Sequence, residues 1–155
     1  MDTKYRALAG ALSGAGGTLA LSGLRVVLNR FGLVFDTAPV QVIDRIEELG
    51  LVGELSPGAH RALTATAHCA YGLGTGTVLG LLRRDTSQPA EELAVGSALG
   101  VLVWGAGWAS WLPLTGVHSA PWTQSTPKVL LPILDHALFG ATWGLIHWAI
   151  HQKRG

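Results

Sequence analysis

The chain has 155 residues, a length that corresponds to one domain, and only 21 of them are charged. Charged residues make up 14% of the chain, against about a quarter in an average soluble protein. The net charge is +1 and no basic cluster is longer than Arg83-Arg84, which argues against a nucleic-acid-binding surface. The single Cys69 excludes an intramolecular disulfide framework and a multi-cysteine metal site.

Four stretches of the chain carry no charge, and each is close to or longer than the roughly 20 residues that cross a bilayer. They cover residues 7–24, 62–82, 93–127 and 136–152. The sequence therefore predicts an all-α integral membrane protein, a four-helix bundle that forms a single transmembrane domain over residues 1–155. Its membrane helices are expected at about 5–28, 60–83, 92–112 and 129–150. The first is expected to be an uncleaved helix, because its glycines are more typical of helix packing than of a signal peptide.

A segment of different character lies between the first two membrane helices. Pro39 follows a potential cap at Asp36 or Thr37, and apolar residues then recur at three- and four-residue spacing, opposite charged ones. This pattern predicts a short amphipathic helix over about 38–50. We interpret it as a connector that lies on the membrane surface, in preference to a helix that binds a partner.

The distribution of Lys and Arg predicts the orientation in the membrane. Six of these residues flank the helix ends closely on one side, and five are spread through longer loops on the other. They are Lys4, Arg6, Arg83, Arg84, Lys153 and Arg154 on the first side, and Arg25, Arg30, Arg45, Arg61 and Lys128 on the second. We expect a bacterial cytoplasmic (inner) membrane protein with both termini in the cytoplasm.

One motif occurs twice: His, two residues, an aromatic residue, then Gly-x-x-x-Gly. It covers residues 68–76 and 136–144, and a weaker similarity relates Gly10 and Gly14 to Gly96 and Gly100. This repeat predicts two duplicated helical hairpins, related by a pseudo-two-fold axis along the membrane normal.

Glycines four residues apart form flat strips on which another helix backbone can approach closely. We expect a helix-packing role for these glycines, in preference to a strip cleared for a flat ligand or a narrow pore. The residues are Gly10, Gly14, Gly72, Gly76, Gly140 and Gly144.

Counting residues from the helix ends places four polar side chains in one layer of the outer leaflet: Arg25, His68, Asp135 and His136. Ionisable groups in a membrane segment normally find a partner or face a cavity. The first interpretation is an ion pair between Arg25 and Asp135 that locks the first helix to the last. The second is a cluster that binds a ligand or handles protons.

Matched histidines on two helices also raise the possibility of b-type haem with His68 and His136 as axial ligands. We expect no bound cofactor, because close glycine contacts would leave little space for the ring, and no metal. His147 and His151 are interpreted as a hydrated pair at the membrane interface. The sequence contains none of the catalytic or phosphate-binding motifs that would indicate an enzyme.

The order of these motifs resembles small four-helix bacterial inner-membrane proteins of the YagU-like type. The motifs are a Gly-rich first helix, a Pro-led amphipathic segment, His68-x-x-Tyr71-Gly72, Trp111-Leu112-Pro113, a Pro-rich loop and His136-x-x-Phe139-Gly140. The resemblance implies a cytoplasmic-membrane bundle and no established activity. Residues 123–127 lack the arginine that such loops commonly carry, so no role that depends on that charge is expected.

Three functions follow as hypotheses. The first is a non-enzymatic membrane protein, a helix-packing accessory subunit of a membrane complex or a homo-oligomer, whose partners are lipid, itself or other membrane subunits. The second is a small transporter or channel that uses the layer of Arg25, His68, Asp135 and His136. The third is a haem electron carrier with two histidine ligands.

Overall fold

The computed structural model describes residues 2–33, 37–83 and 88–152, and these ranges contain helices and no β-strand. The five helices are α1 (Thr3–Arg30), α2 (Ala38–Glu48), α3 (Pro57–Leu82), α4 (Pro89–Ala106) and α5 (Thr126–Gln152). A π-helical turn, Gly107–Trp111, continues α4 without a break and is followed by one α-helical turn, Leu112–Leu114. A 3₁₀ turn, Pro121–Thr123, precedes α5.

The helix ends follow from local sequence signals. Asp2 and Ser56 cap α1 and α3 with side-chain oxygens that accept backbone N–H groups, and proline opens α3 and α4. Gly50 has φ +67° just after α2, in the left-handed conformation that commonly ends a helix. A helix is present at each of the five expected places, and the ends lie within about three residues of the expected ones when the turns up to Leu114 are counted with α4.

Three helices are long and apolar enough to cross a membrane: Thr3–Arg30, Pro89–Leu114 and Thr126–Gln152. The chain is therefore a helical protein with three candidate membrane spans. The fourth predicted span, α3, has the length but not the hydropathy, since it contains four threonines, two histidines and one arginine.

Glycines bring α1 and α3 into backbone contact. A Cβ on Gly80 would lie 2.6 Å from the Cα of Gly10, and a Cβ on Gly76 would lie 2.6 Å from the Cα of Gly14. Real Cβ atoms do not approach other atoms this closely, so no residue larger than glycine fits at these crossings. The helices run antiparallel, and the contact continues through Thr18, whose hydroxyl lies against Gly72.

Helices α4 and α5 form a second antiparallel pair of the same kind. A Cβ on Gly100 would lie 3.1 Å from the Cα of Gly140, and one on Gly96 would lie 3.2 Å from the Cα of Gly144. The two pairs use different turns of the repeated motif. Gly76, the second glycine of its motif, faces Gly14. Gly140, the first glycine of its motif, faces Gly100.

The hydrophobic core lies between the two pairs. Phe139 and Trp143 of α5 are 5% and 0% exposed and pack with Leu79, and Leu99 and Val103 of α4 lie against them. The indole N–H of Trp143 donates to the Gly10 carbonyl at 3.3 Å. The absence of side chains on the facing glycines of α1 makes room for these aromatic rings.

Helix α2 is fixed across one end of the long helices. Its Ile43 is 2% exposed. Arg45 Nε donates to the Thr115 carbonyl at 3.3 Å, and Asp44 Oδ1 lies 2.8 Å from His60 Nε2 at the start of α3. The apolar side of the predicted amphipathic helix therefore packs on the protein itself.

Substitution of Gly76 by Ala is expected to destabilise the protein by about 1–3 kcal/mol, because the new methyl group would overlap backbone atoms of α1 that cannot turn away. The measurement is unfolding in mixed detergent micelles. Gly74→Ala on the same helix is the matched control, since a Cβ there meets nothing within 4 Å. Equal stability of both variants would contradict the glycine contact.

Candidate functional site

An ion pair joins α1 to α5 near the end covered by α2. Arg25 Nε donates to Asp135 Oδ2 at 3.0 Å, and the two side chains are 15% and 9% exposed. The carboxylate lies inside the helix layer, where an unpaired charge would be costly. The structure thus places together the two charged members of the layer expected from the sequence.

Both histidines of the layer lie beside this pair, with different hydrogen-bond partners. His136 Nδ1 donates to the Pro132 carbonyl at 2.7 Å, so Nε2 is the acceptor of the neutral ring. His68 Nε2 lies 3.4 Å from the Ser22 hydroxyl on α1. Arg25, His68, Asp135 and His136 therefore come from three helices and meet at one end of the molecule.

A cavity of about 190 Å³ lies between α3 and the end of α4, and we call it the histidine cavity. Its wall includes Arg25, His68, Tyr71, Gly107, His136 and Phe139, and Pro39 and Val42 of α2 contribute to its boundary. Most of the other lining residues are apolar. An apolar cavity of about 150 Å³ holds a benzene molecule, so this one has room for a small organic molecule.

Two further cavities border the same arginine. The vestibule, of about 400 Å³, is lined by Arg25, Gln41, Trp108, His118, Gln124 and Asp135 among others. The side cavity, of about 350 Å³, is lined by Ser22, Arg25, Thr37, His60, Thr64 and His68 among others. Arg25 is common to all three cavities, and Trp108 separates the histidine cavity from the vestibule.

The π-helical turn Gly107–Trp111 forms the α4 side of this region. Gly107, Trp108 and Trp111 all line the histidine cavity. A π turn shifts the side chains that follow it around the helix axis, and such turns are frequent at functional sites. No periodicity in the sequence predicted it.

Sequence reasoning missed a buried charge at the opposite end. Glu92, in the first turns of α4, is 0% exposed and lies 2.6 Å from Arg83 Nη2, directly after α3. Arg83 also bonds Glu91 at 3.1 Å. Hydrogen bonds to Glu92, and secondarily to Glu91, hold the pKa of the Arg83 guanidinium above its ordinary value. The pair ties α3 to α4, as Arg25 and Asp135 tie α1 to α5.

The interpretation of His147 and His151 as a hydrated pair is wrong for His147. Its ring is 0% exposed and stacks on Trp143 with ring centroids 4.7 Å apart. Neither ring nitrogen of His147 has a hydrogen-bond partner within the described residues. The cause is the deep placement of this face of α5 between the helices, which the position near the chain end did not indicate.

Among the described residues one group has metal-ligand geometry. One ligand atom each of Asp44, Glu47 and His60 lies within 4.8 Å of the others. The Leu55 backbone N–H donates to Glu47 at 2.7 Å, so the same side chains tie α2 to the start of α3.

The haem alternative needs His68 and His136 around a porphyrin. The cavity they share is smaller than the pockets of about 300–1,000 Å³ that hold drug-sized ligands. The expectation of no bound cofactor stays a prediction, and haem stays its alternative.

No protein-family model, curated protein or solved structure matches this chain. The resemblance to YagU-like proteins therefore stays a prediction.

Replacement of Arg25 by Leu is expected to destabilise the protein by about 3–5 kcal/mol, because Asp135 would be left buried without its partner. The double variant Arg25→Leu/Asp135→Leu should recover most of this loss. Detergent unfolding of both single variants and the double variant gives the coupling energy. Glu48→Leu, at an exposed ion pair with Arg45, is the control and should change stability by at most about 1 kcal/mol. Additive effects at Arg25 and Asp135 would refute the coupling.

Proposed function

We propose that the chain is a small membrane transporter or channel whose solute passes the layer of Arg25, His68, Asp135 and His136. The observation that carries this proposal is that three separate cavities meet at Arg25. The ion pair of Arg25 and Asp135 borders enough space for a small molecule on more than one side.

The division into two helix pairs supports a protein that can change shape. Glycine contacts join α1 to α3 as one unit and α4 to α5 as another, and a further contact between the units sets Gly17 of α1 against the backbone and ring of Phe139. Ion pairs connect these units at opposite ends, Arg25 with Asp135 and Arg83 with Glu92. If one ion pair breaks while the other stays formed, the two helix pairs would rotate relative to each other about the core residues Phe139 and Trp143.

The accessory-subunit or homo-oligomer role is the second candidate. The glycines that suggested it contact one another inside the chain, so they offer no strip to a partner. What favours this role is the outer surface of the helices, where large apolar side chains are exposed. Leu19, Val78, Leu102 and Leu134 are examples. Either lipid or another subunit would cover them.

Filling the histidine cavity should stop transport. A Cβ on Gly107 would lie 3.6 Å from Tyr71 Oη, an ordinary contact, so Ala fits, whereas a Phe ring would occupy most of the cavity. Solute entry into vesicles containing the purified protein is measured by stopped-flow light scattering with urea, glycerol and sorbitol. Proton entry is measured by pyranine fluorescence. We expect Gly107→Phe to reduce flux to the level of empty vesicles and Gly107→Ala to retain it.

Both variants are checked for folding by size-exclusion chromatography. Flux that persists in folded Gly107→Phe would refute passage through the histidine cavity. If no probe crosses faster than in empty vesicles and native mass spectrometry shows an oligomer, the second candidate replaces the first. A Soret band in the same preparation would assign His68 and His136 to haem instead.

We further propose a four-helix bundle in a bacterial inner membrane, in which α3 crosses beside α1 and both termini are cytoplasmic. Helix α1 is a candidate span, and α3 packs antiparallel against it along the stretch from Gly80 to Gly72. This contact supports the proposal. A helix in contact with a span over this length lies at the same depth. Its polar residues His68 and Thr64 line cavities, which accounts for polar side chains in a helix that is not itself among the candidate spans.

Labelling of single cysteines tests this topology. In a Cys69→Ala background, Gly53→Cys lies between α2 and α3, and Gln152→Cys lies at the end of α5. A membrane-impermeant maleimide should label the first in intact bacterial cells and the second only after permeabilisation. Labelling of both positions from the same side would contradict the four-crossing arrangement.

A further inference from the structure

The vestibule contains more unsatisfied polar groups than either other cavity. Among its lining residues, Gln41 Oε1, Trp108 Nε1 and His118 Nε2 are buried and have no hydrogen-bond partner within the described residues. They belong to α2, the π turn and the loop before α5, three segments far apart in the chain. Buried polar atoms are nearly always bonded in folded proteins, because each one left unsatisfied opposes folding. Their concentration around one cavity points to a ligand.

The hydrogen-bonding character of the three atoms defines that ligand. Trp108 Nε1 can only donate and Gln41 Oε1 can only accept. His118 Nδ1 lies 2.7 Å from the Ser119 carbonyl and carries the proton, so Nε2 is an acceptor. The ligand must therefore present both donors and acceptors within one small molecule, as hydroxyl groups do.

The charges in the wall favour an uncharged ligand. Arg25 and Asp135 neutralise each other at 3.0 Å, and Lys128, also in the wall, has an interaction partner. The rest of the polar lining is hydroxyl and amide, from residues such as Thr37, Thr123 and Gln124. The Trp108 ring, which lies tilted against His118 with centroids 4.3 Å apart, adds an aromatic surface. The volume of about 400 Å³ is within the range of ligand pockets.

We infer that the vestibule binds an uncharged polyhydroxylated molecule, a sugar alcohol or a monosaccharide. Gln41, Trp108 and His118 bind its hydroxyl groups. This inference rests on the proposed function and deepens it by naming the class of solute that reaches the Arg25 layer. Binding itself needs no transport, so it can be measured separately.

Equilibrium dialysis of the detergent-purified chain with radiolabelled mannitol and glucose tests the inference. We expect saturable binding of at least one of these probes and none of acetate or choline. Trp108→Phe keeps an aromatic ring and removes the N–H, and Gln41→Met keeps the length and removes the amide oxygen and NH2 group. Each should weaken binding roughly tenfold, the equivalent of about 1.4 kcal/mol for one hydrogen bond. Trp122→Phe is the control, since Trp122 is 77% exposed and is not among the lining residues.

Absence of saturable mannitol or glucose binding to the folded wild type, which means that the cavity holds water only, would overturn the inference. Stronger binding of acetate or choline would overturn the uncharged class, and unchanged affinity in folded Trp108→Phe and Gln41→Met would overturn the location. If Trp108→Phe does not fold, the affinity of Gln41→Met, in α2, tests the location of the site by itself. Binding without flux in vesicles would refute transport but not the binding site in the vestibule. Flux without binding would refute the binding site but not transport.

Discussion

Backbone contact between glycines determines the rest of this structure. Because Gly76 and Gly80 meet Gly14 and Gly10 directly, α1 and α3 approach more closely than helices with side chains can. The same holds for α4 and α5. Side-chain volume is thereby removed from within each pair and concentrated between the pairs, where Phe139 and Trp143 form the core. Toward the end covered by α2 the side chains between the pairs, Trp108 among them, leave space unfilled, and the cavities open there.

The placement of charge follows from this division into pairs. A buried carboxylate needs a partner, and each of the two here finds one across helices, Asp135 at Arg25 and Glu92 at Arg83. Each ion pair is made by flexible side chains, whereas the glycine contacts involve the backbone itself. The molecule thus consists of two glycine-packed helix pairs, which are joined by the aromatic core, by Gly17 of α1 against Phe139 of α5 and by one ion pair at each end.

Sequence reasoning predicted the helices well because uncharged runs and proline or cap residues mark their ends directly. Depth counting also placed Arg25 and Asp135 together, since both interrupt otherwise apolar helices. Glu92 was missed because it stands in the first turns of α4, where an acidic residue is normally solvated. The polar atoms around the vestibule were missed for a different reason. They come from segments whose proximity depends on tertiary packing, and neither composition nor periodicity records it.

Helix α2 shows most clearly what an amphipathic pattern leaves open. The sequence shows that one side of residues 38–48 is apolar, and a lipid surface or a protein surface satisfies that requirement equally well. The structure resolves the choice for Val42, which lines the histidine cavity, and for Ile43, which is buried. On the polar side, Asp44 bonds His60 and Arg45 bonds the Thr115 carbonyl, so α2 is attached on both sides of the site it covers. On the proposed transport path, a solute that enters the histidine cavity from this end would meet Pro39 and Val42 of α2, so the attachments of α2 would be its first barrier.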